Sequence, residues 1–270
     1  MSTTDVIGVI GAIGKTGHRI ADRLEADGRA VRRLARGTAP AFDWSKPDGW
    51  EEALRGIQRL YIAYVPDLAA PGSDLATTRL LAVSRAVGIT RIVLLSGRGE
   101  AGALAAEDLV LDSGIDATIV RAAWFSQNFT EGALAPGVAS GFIAMAAGAR
   151  CEPFVDVNDI ADVAVAALID DGHVGQVYEV TGPELLTFSD AAQILTDAFG
   201  HQVDYLPLSL EEFHAAVSDD LGPDAADLLT GLCREVFDGR NEALADGVQR
   251  ALGREPRSLR DVATAAAVAA

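Results

Sequence analysis

A chain of 270 residues with 49% hydrophobic content can bury a full core, and its length suits one cofactor-sized domain with a small appendage. Its formal net charge of −17, spread along the whole chain, argues against a nucleic-acid partner, because binding phosphates requires a basic face. No stretch approaches the ~20 apolar residues of a bilayer span, and Met1-Ser2-Thr3-Thr4-Asp5 has neither the basic nor the apolar region of a signal peptide, so no membrane contact and a cytoplasmic location are expected.

The first element is an apolar strand, Val6-Ile7-Gly8-Val9-Ile10, that runs into Gly11-Ala12-Ile13-Gly14-Lys15-Thr16-Gly17 and then an amphipathic helix from residue 15 to 27. A strand, a glycine-rich turn and a helix in direct succession form a dinucleotide-binding start. The glycines let backbone approach a pyrophosphate, and the helix presents its first amides and positive dipole end to the phosphate charge. The spacing is G-x-x-G-x-x-G, and Gly11, Ile13, Gly14, Lys15, Thr16 and Gly17 are the residues placed around the cofactor.

The second strand, at 30 to 35, decides the nucleotide. An NAD site has an acid near its end, on the ribose 2′-hydroxyl, whereas an NADP site has Arg near the 2′-phosphate. No acid occurs between Asp27 and Asp43, and the strand reads Ala30-Val31-Arg32-Arg33-Leu34-Ala35-Arg36. NADP(H) is therefore the expected cofactor, with Arg36 on the 2′-phosphate and Arg33 and Lys15 as helpers.

Further strands are expected at 59 to 65, 91 to 96 and 116 to 121, alternating with helices at 48 to 56, 74 to 88 and 102 to 113, which is the pattern of a parallel sheet covered on both faces. The carboxyl ends Tyr64-Val65-Pro66 and Ser96-Gly97-Arg98 fall on the edge where such sheets bind ligands. Arg121 ends a strand in the cleft. It is expected to form an ion pair fastening the cofactor part to the remainder, in preference to holding an acidic substrate. After Arg121 the alternation breaks into Gly- and Ala-rich sequence, then resumes with a helix near 158 to 170, capped by Asp156 and Asp159, and a strand at 176 to 180. Thr187 caps a helix from Phe188 to Phe199 that stops at Gly200, and helices follow near 209 to 220, 223 to 238, 241 to 252 and 258 to 266. The alanine-rich tail from Ala263 to Ala270 reads as a frayed helix end.

One piece of chemistry is missing. Carbonyl reduction in short-chain dehydrogenases uses Tyr-x-x-x-Lys, but the only lysines are Lys15 and Lys46, and Tyr61, Tyr64, Tyr178 and Tyr205 are followed four residues on by Val65, Leu68, Gly182 and Ser209. The surviving readings are nucleotide binding without chemistry, or hydride transfer to an acceptor that needs no built-in proton donor, such as an iminium, a quinone or an activated enone. Cys151 and Cys233 are expected as free thiols, no metal is expected, and His18, His173, His201 and His214 are too scattered to supply a base.

With Phe42-Asp43-Trp44, Val93-Leu94-Leu95-Ser96, Trp124-Phe125-Ser126-Gln127-Asn128-Phe129, Pro153-Phe154-Val155-Asp156 and Gly182-Pro183-Glu184-Leu185-Leu186-Thr187 added to the glycine turn, the chain resembles the NmrA-like branch of atypical short-chain dehydrogenases/reductases nearly end to end. Within it, the chain is most similar to the agroclavine/festuclavine dehydrogenase group of ergot-alkaloid reductases and its bacterial relatives. The resemblance implies an α/β Rossmann-type doubly wound parallel sheet with a small, mostly helical C-terminal substrate subdomain. The cofactor part would be residues 1–122 plus 152–182, and the substrate part 123–151 plus 183–270, packed as one unit. It also implies NADP(H) as cofactor, with Gly11, Gly14 and Gly17 at the phosphates, Arg36 at the 2′-phosphate, and Asp43 and Trp44 at the adenine. Ser96 would be the end of the fifth strand under the nicotinamide, and Trp124, Phe125 and Asn128 the loop that covers it. Tyr64 and Ser96 are the catalytic candidates, while Trp124, Phe125 and Asn128 are placed on the substrate. Ile10 and Ile13 stand where the family usually has Thr, Ala122 where it has Pro, and Gln127 where Glu is common. The implied activity is NADPH-dependent hydride transfer to a flat, aromatic or polycyclic small molecule in secondary metabolism, by a monomer or homodimer. The alternatives are a redox sensor acting through a protein partner, or an enzyme that couples quinonoid polyketide intermediates.

Overall fold

The computed structural model of the protein describes residues 5 to 269; Met1 to Thr4, read above for a signal peptide, and Ala270 lie outside the described residues. The first half alternates strictly, through β1 (Val6–Ile10), α1 (Lys15–Ala26), β2 (Ala30–Leu34), α2 (Trp50–Leu54), β3 (Arg59–Ile62), α3 (Ser73–Val87), β4 (Arg91–Gly97), α4 (Ala101–Leu111) and β5 (Asp116–Ala122). The second half is mixed: α5 (Ala135–Ala139), β6 (Phe142–Met145), β7 (Cys151–Glu152), α6 (Val157–Ile169), β8 (Val177–Val180), β9 (Leu186–Thr187), α7 (Phe188–Phe199), β10 (Asp204–Pro207), α8 (Leu210–Leu221), α9 (Pro223–Val236), α10 (Gly247–Leu252) and α11 (Leu259–Ala269).

Six strands form one parallel sheet in the order β2-β1-β3-β4-β5-β8, the doubly wound Rossmann arrangement. Alternate residues of each strand feed opposite faces. Val9, Tyr61, Val93 and Val120 pack with Ile20, Leu24, Ile160 and Ala164 of α1 and α6, while Ile10, Ile62, Leu94 and Ile119 pack with Leu54, Leu80 and Val110 of α2, α3 and α4. A third core, built on Phe129, Phe154, Phe188, Leu195 and Phe237, holds the C-terminal part. That part is mostly helical with two small ladders, β6 with β10 and β7 with β9. Among the described residues no helix is long and apolar enough to cross a membrane.

Several local expectations change. The third strand stops at Ile62, where its pairing with Leu94 ends, so Tyr64 lies beyond the ladder. Residues 48 to 56 give a 3-10 turn with Pro47 at its start and then the short α2. The stretch 241 to 252 is helical only from Gly247. Asn241 is held outside any helix by Arg98, which donates from Nη1 to the Asn241 carbonyl at 2.7 Å and accepts from Asn241 Nδ2 at 3.1 Å. The α10 helix packs against β8 and α6, and buries Val248 in the core they share with the sheet. Asp156 caps α6 as expected, accepting from the Asn158 amide at 2.8 Å. Asp159, fully buried, instead pairs with Arg254 at 2.7 Å and Arg257 at 2.5 Å, pinning the segment before α11. Thr187 caps α7 through a reciprocal box with Asp190, and α7 ends at Gly200.

Gly17 in the first turn of α1 touches the turn backbone so closely that a Cβ would overlap the Gly11 carbonyl. Gly17→Ala must therefore force α1 away from β1. It is expected to lower unfolding free energy by about 1–3 kcal/mol, measured by denaturant titration, and unchanged stability would contradict this packing.

Candidate active site

The chain runs outward in one direction from β1 to β2 and in the other from β3 onward, so the carboxyl ends of β1 and β3 flank the switch point where open sheets bind ligands. The glycine turn sits there. Gly11 has φ +78°, a region that favours glycine, and Gly14 precedes α1 in extended geometry with no side chain capping the helix. The first amides of α1 and its positive dipole end thus remain available to an anion, which is the fit a pyrophosphate requires. Ile13 is 77% exposed at the turn, an unusual place for a bare aliphatic side chain. Thr16 is buried, and its hydroxyl accepts from Tyr61 at 2.9 Å, so this side chain fastens α1 to β3.

At the end of β2, Arg36 is exposed and, among the described residues, enters no ion pair. Arg33 differs from its expected role as a helper, because Asp22 at 2.5 Å and Glu25 at 2.7 Å, both on α1, neutralise it. The Asp43 carboxylate accepts from the Ser45 amide and hydroxyl at 2.9 and 2.7 Å, and these bonds hold it below the usual carboxylate range. Trp44 packs edge-on against Phe42 and Trp50 and lies 4.6 Å, ring to ring, from Tyr64.

A cleft of about 340 Å³ opens beside the turn, and it gathers Lys15, Tyr64, Ser96, Trp124, Phe125 and Asn128 on one lining. Lys15 lines this cleft, and its Nζ donates to Asn128 Oδ1 at 3.0 Å. The loop carrying Asn128 is tied down again by Arg19 to Glu131 at 2.5 Å, and by Gln127, which donates to Asp156 at 2.7 Å and accepts from the Val157 amide at 2.8 Å. Burial pushes the Tyr64 hydroxyl above its ordinary value, so it stays neutral. Ser96 lies on the fourth strand in chain order, not the fifth, and its hydroxyl donates to Glu107 at 2.5 Å. That bond assigns the Ser96 proton to the fold.

Glu107 belongs to a buried ion network. Arg121 binds it through Nε at 3.0 Å and Nη2 at 2.5 Å, and binds Glu179 of β8 at 2.9 Å. Arg98 also reaches Glu179, at 3.2 Å, and continues to Asn241. Arg98, by way of Asn241, thus reaches the C-terminal segment, while Arg121 ties α4, β5 and β8 together.

Trp124 is held by its amide, which donates to Glu152 at 3.1 Å, and by Phe237, 5.3 Å away ring to ring. Its indole Nε1 and Glu152 Oε2 are buried with no partner in the protein among the described residues. Arg98, on the strand end expected at the ligand edge, lines the cleft as well. Lining residues that escaped the sequence reading include Asp67 after β3, Glu100 after β4, and Leu229, Leu232 and Val236 of α9, which close the far wall. The α9 side chains fall at i, i+3 and i+7, a signal visible in the sequence. For Asp67 and Glu100 the only sequence signal was an acid just past a strand end.

No family model matches the chain. Over 286 residues it is 30% identical to festuclavine dehydrogenase of Aspergillus fumigatus, covering 94% of this chain and 95% of that protein. Its identity to the NAD(P)H azoreductase of Xenophilus azovorans is also 30%, over 98% of both chains. Among solved structures, the triphenylmethane reductase of a Citrobacter species, complexed with NADP(H), superposes with a TM-score of 0.80 over 97% of this chain and 99% of that one, at 21% identity.

Burial pushes the Glu152 carboxyl up to about 7, against the opposing Trp124 amide and Arg98 charge. A carboxyl raised on folding contributes stability that is complete below its unfolded value and is lost as pH rises through the folded value. Unfolding free energy should therefore fall between about pH 4.5 and pH 7, and Glu152→Gln should flatten that fall by up to ~1.4 kcal/mol per pH unit. Denaturant titrations across pH check this; an identical slope in the variant would contradict it.

Proposed function

The chain belongs to the NmrA-like family of atypical short-chain dehydrogenases/reductases and is an oxidoreductase; from that premise we propose that it transfers hydride from NADPH to a flat, electrophilic small molecule, an iminium, a quinone or an activated enone. The observation that carries this reading is the cleft at the sheet's switch point, with the glycine turn beside it and an apolar wall of Trp124, Leu229, Leu232 and Val236. Flat organic acceptors are held by apolar and aromatic surfaces with few polar groups, which is the composition of this wall. The likeness to festuclavine dehydrogenase supports an acceptor drawn from secondary metabolism.

In this reading the turn from Gly11 to Gly17 holds the pyrophosphate, and the unpaired Arg36 holds the 2′-phosphate. The nicotinamide, when bound, supplies the hydride. Trp124 and the α9 side chains position the acceptor and exclude water. The Lys15 to Asn128 bond fixes the covering loop over the cleft. Phe125 packs against the sheet core and sets the angle of the loop. Ser96 and Tyr64 shape the floor and the rim, and neither carries a catalytic proton.

Titration with both nucleotides tests the cofactor site. NADPH should bind more tightly than NADH, and Arg36→Ala should cost NADPH about 1.5–3 kcal/mol while leaving NADH nearly unchanged; equal affinities in wild type would overturn the assignment. A panel of iminium salts, quinones and enones should contain an acceptor giving multiple turnovers. With it, Trp124→Ala should reduce kcat/KM more than Tyr64→Phe, whose loss should stay well below the ~10²-fold typical of removing a general acid. A Tyr64→Phe protein that binds NADPH but is inactive would restore tyrosine as the proton donor.

A further inference from the structure

Asp67 and Glu100 project into the same cleft from two adjacent strand ends, beyond β3 and beyond β4, on the lining shared with Tyr64, Ser96 and Trp124. On this lining the presence of Asp67 disfavours the ionised form of Glu100. Two carboxylates held together on one buried wall repel when both are ionised, so the pair keeps one proton. The Asp67 carboxylate accepts from the Ala69 amide at 2.8 Å, which favours its charged form, whereas Glu100 has no Lys or Arg in a salt bridge among the described residues. The shared proton therefore resides on Glu100. The backbone makes room for it, because a Cβ on Gly97 would overlap the Glu100 carboxyl.

We propose that the Asp67–Glu100 carboxyl pair is the proton donor of this oxidoreductase, delivering the Glu100 proton to the oxygen or nitrogen of a neutral acceptor. The inference rests on the hydride-transfer reading above. A quinone or azo acceptor that has gained a hydride bears a negative charge on oxygen or nitrogen. The O–H bond of Glu100 breaks, a new O–H or N–H bond forms on the product, and the pair, left doubly ionised, regains its proton from water after product leaves. A cationic iminium becomes a neutral amine on gaining hydride and needs no such proton. The pair supplies what the absent Tyr-x-x-x-Lys would have supplied.

Its surroundings keep the proton in place at neutral pH. Besides Asp67, the acids facing Glu100 are Glu107 from α4 and Glu235 from α9, which resist a further negative charge, while Arg121, lining the adjoining hollow with Glu100, is taken up by Glu107 and Glu179. Arg98 lines the cleft with it but is engaged by Glu179 and Asn241, and Arg240, across the adjoining hollow, is engaged by Asp238. Lys15 is held by Asn128. Burial and these neighbours push Glu100 up to about 8, and burial raises Asp67 as well.

The test uses the NADPH-loaded protein with two acceptors, a naphthoquinone and a cyclic N-alkyl iminium salt. Wild-type kcat with the quinone should fall above about pH 8. Glu100→Gln should lose ~10²-fold or more with the quinone, and its loss with the iminium should be at least ~10-fold smaller. Equal losses with both acceptors, or no loss with the quinone, would overturn the proposal. Asp67→Asn, which keeps the side-chain size but removes a charge, should move the alkaline limb to lower pH; an unmoved limb counts against the pair. A second readout does not depend on turnover. Infrared titration of the nucleotide-free protein should show a protonated-carboxyl band that disappears near pH 8 and is missing from Glu100→Gln. Absence of that band in wild type refutes the pair even if hydride transfer is confirmed, whereas a normal band with no turnover on any acceptor refutes the hydride-transfer reading alone.

Discussion

The structure depends on the charge network that Arg121 centres at the carboxyl ends of β4, β5 and β8. Glu107 is only 2% exposed, and a carboxylate so buried is tolerated because the Arg121 guanidinium meets both its oxygens. Removing one partner of such a pair typically costs about 3–5 kcal/mol, because an uncompensated charge is left behind. The network sets the cleft floor in two ways. It orients Ser96 through Glu107, and through Glu179 and Arg98 it reaches Asn241 of the C-terminal part. The polar floor and the docking of the C-terminal segment therefore share one set of bonds.

The opposite wall is apolar and belongs to the third core. Trp124 bridges the two regions, with its ring against Phe188 and Phe237 and its amide on Glu152. The shape of the cleft wall is thereby coupled to the packing of the C-terminal part. The cleft sets this apolar wall against polar groups that include Lys15, Asp67, Ser96, Glu100 and Asn128.

The sheet was legible because each strand's apolar run and each helix's periodicity are local, and the glycine turn because its spacing is read over seven consecutive residues. The preference for NADP(H) was legible from the missing acid at the end of the second strand. What failed was partnership across the chain. Arg33 looked available until α1 brought Asp22 and Glu25 beneath it, and nothing local linked Lys15 to Asn128 of the loop. Arg121 was read as an ion-pair residue with no partner named, since Glu107 and Glu179 come from a helix and a strand that no local pattern links. Asp67 and Glu100 were passed over for the same reason. Each alone is an ordinary acid after a strand, and only the sheet order, with β3 beside β4, joins them.

In the proposed reading the cofactor supplies the hydride, and the protein supplies position, dryness and one proton. The most direct test of that account is a single turnover with NADPH deuterated at the transferable position of C4, using an iminium or enone acceptor whose new C–H bond retains the label. The account predicts deuterium on the product carbon and none left on the oxidised nucleotide at that position. Deuterium retained on bound nucleotide in the presence of every acceptor would contradict it.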